Sequence, residues 1–301
     1  MDSVPSAGEI VSQNIDSQTG AHVITLSNGA RVILKKTENR NNEVILYAAA
    51  NGGSANAAED NIVSVSLLSE MLNVSGLGPY SRVELINKLA GKQASFSFWM
   101  SNYYRGFQGS STTQDITTLF EMIHLFFAMP GLDERAVSAM LDQYKTKLVH
   151  MDEDPQSVFS RELTRVINSN HPLFKPLELA DIEKVSLQRA GEFLSLCINP
   201  SDYTFIFTGN FDLDEIKKLS AVYIASLTPE HKSMNTWKNP GIKRPFEGRR
   251  IIRKGQDEKC IVYLGWFAQG PSAFNEQRNQ VSAVLSEYID IVLTDEIREK
   301  L

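Results

Sequence analysis

"HVITLSNGARVILKK" (His22–Lys36) holds two apolar-rich runs separated by Ser27, Asn28, Gly29 and Ala30. An Asn-Gly pair readily takes the positive φ angles of a tight two-residue turn, so the stretch reads as strand, turn, strand. "EVILYAAANGG" (Glu43–Gly53) follows as a long buried strand closed by glycines.

Working outward, residues 58–74 place apolar side chains at helical spacing: Ile62, Val65, Leu68, Met71 and Leu72. Ser81 is placed to cap a second helix, with Glu84 three residues on completing a capping-box pattern. "ASFSFWMSN" and "YYRGFQGSS" alternate as two strands, Phe96 and Phe98 against Ser95 and Ser97. A helix is predicted from about Asp115 to Ala128, ended by Pro130 and Gly131. Another begins at Asp133 and is broken or restarted by Pro155. Tyr203–Thr208 is a buried strand, followed by a helix capped by Asp212. Strands cluster as hairpins and helices follow in runs. That order predicts an α+β fold over residues 22–228, with a mostly antiparallel sheet covered on one face by helices. Residues 1–21 are polar and read as an irregular leader or linker, and 229–248 as a connector.

After that connector the opening of the module recurs. "RVILKK" (Arg31–Lys36) is matched by "RRIIRK" (Arg249–Lys254), and "VILYAAANGG" by "CIVYLGWFAQG". "NIVSVSLLSEMLN" (Asn61–Asn73) is matched by "RNQVSAVLSEYID" (Arg278–Asp290). The offsets are 218, 216 and 217 residues. Three elements in one order at nearly one offset point to a duplicated module. Residues 249–301 are therefore expected to be the β-β-α start of a second copy, and the 301 residues a fragment of something longer, because such a start leaves sheet edges and a helix face uncovered.

Composition narrows the chemistry. With 36 acidic and 30 basic residues and no basic stripe, the chain has no nucleic-acid signature. Its densest basic stretch, Lys238–Lys254, is broken by Pro and Gly and reads as a solvated linker. The most apolar window, Leu119–Met129, is too short to span a bilayer and carries Glu121 and His124. The N-terminal residues show neither a basic region nor an apolar core, so no signal peptide is expected among them. Cys197 and Cys260 read as small buried hydrophobes. The five histidines, His22, His124, His150, His171 and His231, have no ligand spacing among them. There is no HExxH, HxxEH or CxxC, no GxSxG elbow and no phosphate-binding glycine loop. The acidic run Met151–Pro155 lacks the ligand spacing of a calcium loop.

The order of elements, "LSNGARVILKK", and above all "NHPLFKPLELADIEKVSLQRAGEFLSLCINPSDYTFIFTGNFDLDEI" (Asn170–Ile216) resemble the pitrilysin/insulinase zinc metallopeptidases, or inverzincins. The likeness covers nearly the whole chain, and "LTDEIREKL" (Leu293–Leu301) resembles a family segment that precedes a Gly and a Tyr. Members of that family consist of duplicated modules paired into two clamshell halves. Their zinc site is an H-x-x-E-H on the first helix of the first module, with a distant Glu as third ligand. Laid onto this chain, the motif falls on Ser66, Ser69 and Glu70, and the third-ligand region near Thr146 and Lys147. A serine hydroxyl is a poor zinc donor and cannot serve as general base, and a lysine repels a dication. No catalytic or metal residue is therefore expected in this chain, and no cofactor; zinc is expected in the N-terminal half of the parent.

The resemblance implies the non-catalytic C-terminal half of such a peptidase, forming a wall of the peptide-degrading chamber and helping to position substrate. Residues 1–21 would then be the inter-half linker. The implied partners are the N-terminal catalytic half of the same polypeptide and peptide substrates, with no nucleic acid and no membrane span. Arg298 falls on a family arginine that holds the scissile carbonyl and its tetrahedral intermediate, a task for which fixed guanidinium donors are suited. The tyrosine that works with it would fall at position 305, beyond the residues given. Periplasmic or envelope placement is implied only at family level. Two rivals stand beside this reading: a catalytically dead relative serving as a structural, peptide-binding or assembly subunit, and an α+β interaction domain unrelated to peptidases.

Overall fold

The Asn-Gly turn forms as its chemistry requires. In the computed structural model β1 is Ile10–Ile15, and β2 (His22–Leu26) and β3 (Arg31–Lys36) pair antiparallel around Gly29, whose φ is 86°. The structure describes residues 4–229, 232–245, 249–255, 261–267 and 275–299, with the side chains of 298 and 299 outside that set. It divides into two units, Met1–Lys243 and Arg244–Leu301.

β4 (Val44–Asn51) leads to two short helices, α1 (Ile62–Ser66) and α2 (Leu68–Ser75), and then to α3 (Arg82–Lys88). β5 (Ala94–Met100) and β6 (Tyr104–Ser111) form a hairpin. The helical run is α4 (Ile116–Ala128), α5 (Glu134–Glu153), α6 (Pro155–Ile167), α7 (Leu179–Ile182) and α8 (Leu187–Ser195). β7 (Thr204–Gly209) and α9 (Leu213–Tyr223) complete the module. The capping signals hold: Ser81 and Glu84 form both halves of the box, Asp133 caps α5, and Asp212 caps α9. Asp154 caps α6 with Pro155 in its first turn, where the missing N–H costs nothing.

The seven strands run in the order β1-β2-β3-β7-β4-β6-β5, and only the β3–β7 pairing is parallel. β7 thus separates β3 from β4, although some 170 residues lie between β3 and β7 in the chain. Alternate residues of each strand face the helices. Leu34, Leu46, Phe107, Phe205 and Phe207 are buried there against Leu119, Phe120, Ile123 and Phe126 of α4. Phe120 stacks on Phe207 at 4.8 Å, and Phe126 meets Phe107 edge-on at 4.7 Å. Each such pair adds about 0.5–1.5 kcal/mol beyond the area it buries.

Two expectations are corrected. Residues 1–21 are not wholly irregular, because β1 pairs antiparallel with β2 as an edge strand. Its side chains are exposed except Ile10, which packs on the core, so it shows no apolar alternation; it is recruited chiefly through backbone bonding. Secondly, the helix expected over 58–74 breaks at Leu67, whose ψ is 2°. Val63, Ser64, Val65 and Ser66 are poor helix formers, and Ser66 Oγ donates back to Val63 O at 2.8 Å. In the second unit the described residues 249–255 and 261–267 form no strand, whereas α10 (Glu276–Leu293) forms and passes into a π-helical turn, Thr294–Glu299. The rest of the expected second β-β start lies outside the described residues.

Candidate functional site

The positions singled out in the sequence meet where α2 packs on α5. Val65, Leu68, Met71 and Leu72 are buried, so the helix pair keeps its core face. Ser66 is exposed and its hydroxyl is committed to the carbonyl of Val63. Ser69 and Glu70 are half-buried, and Glu70 Oε2 is enclosed without a hydrogen-bond partner. From α5, Tyr144 faces Glu70. Burial first, and the Glu70 charge second, raise its phenol above the ordinary value. Lys147 Nζ lies 5.7 Å from the centre of the Tyr144 ring, and Thr146 Oγ1 donates to Asp142 O at 3.2 Å. A carboxylate, a phenol and an ammonium thus occupy the neighbourhood where two imidazoles and a carboxylate would hold zinc. This donor set does not fit the metal: the hydroxyl at 66 is directed at its own helix, and a cation stands on the third-ligand side. Among the described residues no group of three or more His, Cys, Asp or Glu is arranged as metal ligands.

A second cluster escaped the sequence reading. Arg105 is fully buried, and its Nη2 lies 2.5 Å from Asp202 Oδ2. Arg105 Nε donates to the Tyr203 hydroxyl at 3.1 Å, and Nη1 donates to the carbonyls of Asn51 and Gly52. Tyr203 in turn donates to Cys197 O at 2.6 Å. Burial pushes the Tyr203 phenol far up and the Cys197 thiol up to about 12. Asp202 also accepts from Ser233 Oγ and from the Met234 amide at 3.1 Å. Residues 233–237 are therefore strapped to the module rather than free as a connector: Asn235 Oδ1 accepts from Asn51 N, and Trp237 stacks on Tyr103 at 5.9 Å. Gly52, at φ 87°, makes room, since a Cβ there would stand 2.4 Å from Met234 O. The available signal was parity. Arg105 shares the core face of β6 with Phe107, where an isolated charge demands a buried partner.

Among the described residues the sheet's other face is half-buried over most of its area and open at places on β4. On β4, Ile45 and Tyr47 are 42% and 46% exposed, although both stand at mid-sheet. Tyr47 is in register with Ile206 on β7, and Ile206 with Ile33 on β3. Trp99 on β5 reaches over Gly106 of β6 and stacks on Tyr47 at 5.6 Å, with its Nε1 enclosed and without an acceptor. A groove of about 580 Å³ lies elsewhere, between β5, α3 and the end of α4, lined by Phe96, Phe126, Tyr80 and Met129 among others. Arg298 falls in the π-helical turn, and its side chain lies outside the described residues.

Comparison with known proteins bears on these features. The family described as "Peptidase M16 inactive domain" matches residues 184–301. A "Zinc protease PQQL-like" of Arabidopsis thaliana is 24% identical over 212 residues, 69% of this chain and 20% of that protein. The "Probable zinc protease PqqL" of Escherichia coli (strain K12) is 22% identical over 263 residues, 87% of this chain and 27% of that one. The crystal structure of the periplasmic protease PqqL from Escherichia coli superposes with a TM-score of 0.70 at 20% identity, over 83% of this chain and 27% of its own. The chain thus spans between a fifth and just over a quarter of the curated relatives it matches. A mostly antiparallel sheet, a first helix with a preserved core face and no ligand set, and these likenesses agree. Residues 184–301 thus match the inactive domain of peptidase M16, and most of the chain resembles PqqL-type zinc proteases in sequence and in fold.

Proposed function

We propose that the chain is a non-catalytic portion of a zinc metallopeptidase, a C-terminal-half module that forms part of the wall of a peptide-degrading chamber and helps to position the substrate. The observation that carries the reading is the α1–α2 pair, which keeps Val65, Leu68, Met71 and Leu72 in the core while Ser66, Ser69 and Glu70 stand where ligands and base belong. Residues 22–228 are one module, 229–248 joins it to the next, and 249–301 opens a second copy. Zinc resides in the N-terminal half of the parent, which is also the structural partner. Arg298 is the substrate-positioning residue. The periplasm or cell envelope is the compartment, in line with the periplasmic PqqL of Escherichia coli.

The test has two arms. The isolated chain is assayed for metal by emission spectroscopy and for hydrolysis of a quenched peptide. The parent is assayed the same way after substitution of whichever HxxEH its upstream sequence carries. The reading expects no stoichiometric zinc and no hydrolysis in the first arm, and zinc-dependent cleavage in the second. One tightly held zinc per chain, lost when Glu70 is substituted, overturns it. A parent with no HxxEH replaces it with the assembly-subunit reading.

A further inference from the structure

The sheet face away from the helices has an uneven charge. The chain carries 36 acidic and 30 basic residues, yet none of the seven strands among the described residues contains an Asp or a Glu. Strand parity puts Val32, Leu34, Phe205 and Phe207 on the helix side. Arg31, Ile33 and Lys35 of β3 and Thr204, Ile206 and Thr208 of β7 fall on the other. The residues facing away from the helices on β4, β6 and β5 include Ile45, Tyr47, Gln108, Ser97 and Trp99. The strands' charges on this side are therefore Arg31 and Lys35, both positive. Among the described residues, Asp16, between β1 and β2, interacts with Arg31, the Lys35 ammonium donates to the Thr19 carbonyl, and Glu43, just before β4, is paired with Arg40.

The apolar part of the face is a row, not a scatter. Ile33, Ile206, Tyr47 and Trp99 lie in sequence across β3, β7, β4 and β5, with Gly106 of β6 lowering the surface so that the indole reaches Tyr47. From β3 to β5 is four inter-strand steps, roughly 19 Å, which matches about six residues of extended chain. Aromatic rings at exposed positions are the side chains most often used as binding anchors. Strands that carry two cations and no acid on this side, the carboxylates named above lying at turns, favour negative segments over positive ones, an effect that falls with ionic strength.

We propose that this row, flanked by Arg31 and Lys35, binds extended acidic polypeptide segments that carry aromatic or aliphatic side chains. The proposal rests on the chamber-wall reading for its setting and deepens it by naming the class of peptide this wall takes. The binding is non-covalent and needs no group from outside the chain.

Fluorescence anisotropy of the 301-residue chain tests it, with three labelled unstructured peptides of equal length: acidic with Phe and Tyr, basic with the same Phe and Tyr, and acidic with none. The expected order puts the first tightest, weakening on addition of salt. Tyr47→Ala costs that peptide roughly tenfold, the loss expected for a modest anchor. Arg31→Glu with Lys35→Glu reverses the preference between the acidic and basic peptides, and it serves as the check if Tyr47→Ala disturbs the fold by circular dichroism. Equal affinity for the acidic and basic peptides overturns the proposal, and so does binding indifferent to both sets of substitutions. Failure of all three peptides to bind overturns it as well. That failure is distinct from failure of the chamber-wall reading, which is measured by zinc-dependent cleavage in the parent and needs no affinity in the isolated chain.

Discussion

Replacing Asp202 with asparagine probes the joint between the sheet and the strap at 233–237. Asp202 accepts from donors at both oxygens: Arg105 Nη2 and Met234 N at Oδ2, and Ser233 Oγ at Oδ1. The side chains of Arg105 and Asp202 are 0% and 2% exposed, so neither charge has water to fall back on. Asparagine keeps the shape but turns one acceptor into a donor. The tolerable orientation points that NH₂ at Ser233, whose hydroxyl rotates to accept, and leaves the amide oxygen to Arg105 and Met234. What is lost is the counter-charge. The guanidinium then rests on neutral oxygens only, those of Asn51, Gly52, Tyr203 and the new amide. Breaking a buried pair on one side costs about 3–5 kcal/mol. Because shape and most hydrogen bonds survive, about 3 kcal/mol is expected here, a large share of the ~5–15 kcal/mol available to a domain. Urea unfolding followed by circular dichroism measures it, with an unchanged slope and a lowered midpoint. The Met234 amide loses protection from hydrogen exchange in the same variant. Arg105→Met combined with Asp202→Leu should cost less than the two single changes summed, since no charge is then stranded. A midpoint for Asp202→Asn within ~0.5 kcal/mol of the parent value refutes the reasoning.

Other outcomes follow from the same structure. Gly106→Ala places a Cβ 1.9 Å from Ala48 O and 2.6 Å from the Trp99 ring; a loss of ~1–3 kcal/mol is expected, with a changed indole emission. Cys197, whose thiol burial pushes up to about 12, should react with a disulfide reagent in a Cys260→Ser background only after unfolding. The Asp154 carboxyl is held below its ordinary 3.8 by the Ser157 hydroxyl and amide, and that of Asp115 by the Gln93 amide and the Thr112 hydroxyl. With folded values below unfolded ones, their stabilisation is present above pH 3.8 and fades as the pH falls through the folded values; NMR titration of the two carboxyls checks the sign. Arg298→Ala in the full parent should reduce turnover by ~10²–10³ with zinc content unchanged, and near-normal turnover returns this residue to the ordinary surface charges.

What was legible in the sequence was local. Asn28-Gly29, the Ser81–Glu84 box, Asp133, Pro155 and Asp212 each act through neighbours within a few residues, and each lies where its chemistry puts it. The α+β class followed from their order. The elements that were missed depend on partners distant in sequence. β1 carries little burial signal because its bonds go to β2 through the backbone. The Arg105–Asp202 pair joins residues 97 apart, and each alone looks like an ordinary charge. The strap at 233–237 reads as a linker because its composition is polar, yet Asp202, Asn51 and Tyr103 hold it from the module side. At Ser66, Ser69 and Glu70 the sequence shows side chains that do not make a zinc-ligand set. The structure adds what stands near them, a Tyr144–Lys147 pair beside Glu70.

The position of β7 bears on the proposed second copy, whose described residues 249–255 and 261–267 form no strand. In the first module β3 and β4 do not touch as partners. Their ladders run to β7, parallel on one side and antiparallel on the other, and β7 arrives only after the whole helical layer has been laid down. A β-β-α opening therefore contains two strands that need a third to be joined at all, and a lone hairpin is marginal in water even when its strands do pair directly. A helix makes its hydrogen bonds internally and has no such need. Its apolar face follows the same logic. Val281, Val284, Leu285 and Tyr288 are exposed on α10, while Leu67, Leu68 and Met71, the counterparts of the last three at the 217-residue offset, are buried in the first module. The two stretches thus share an apolar pattern at one offset.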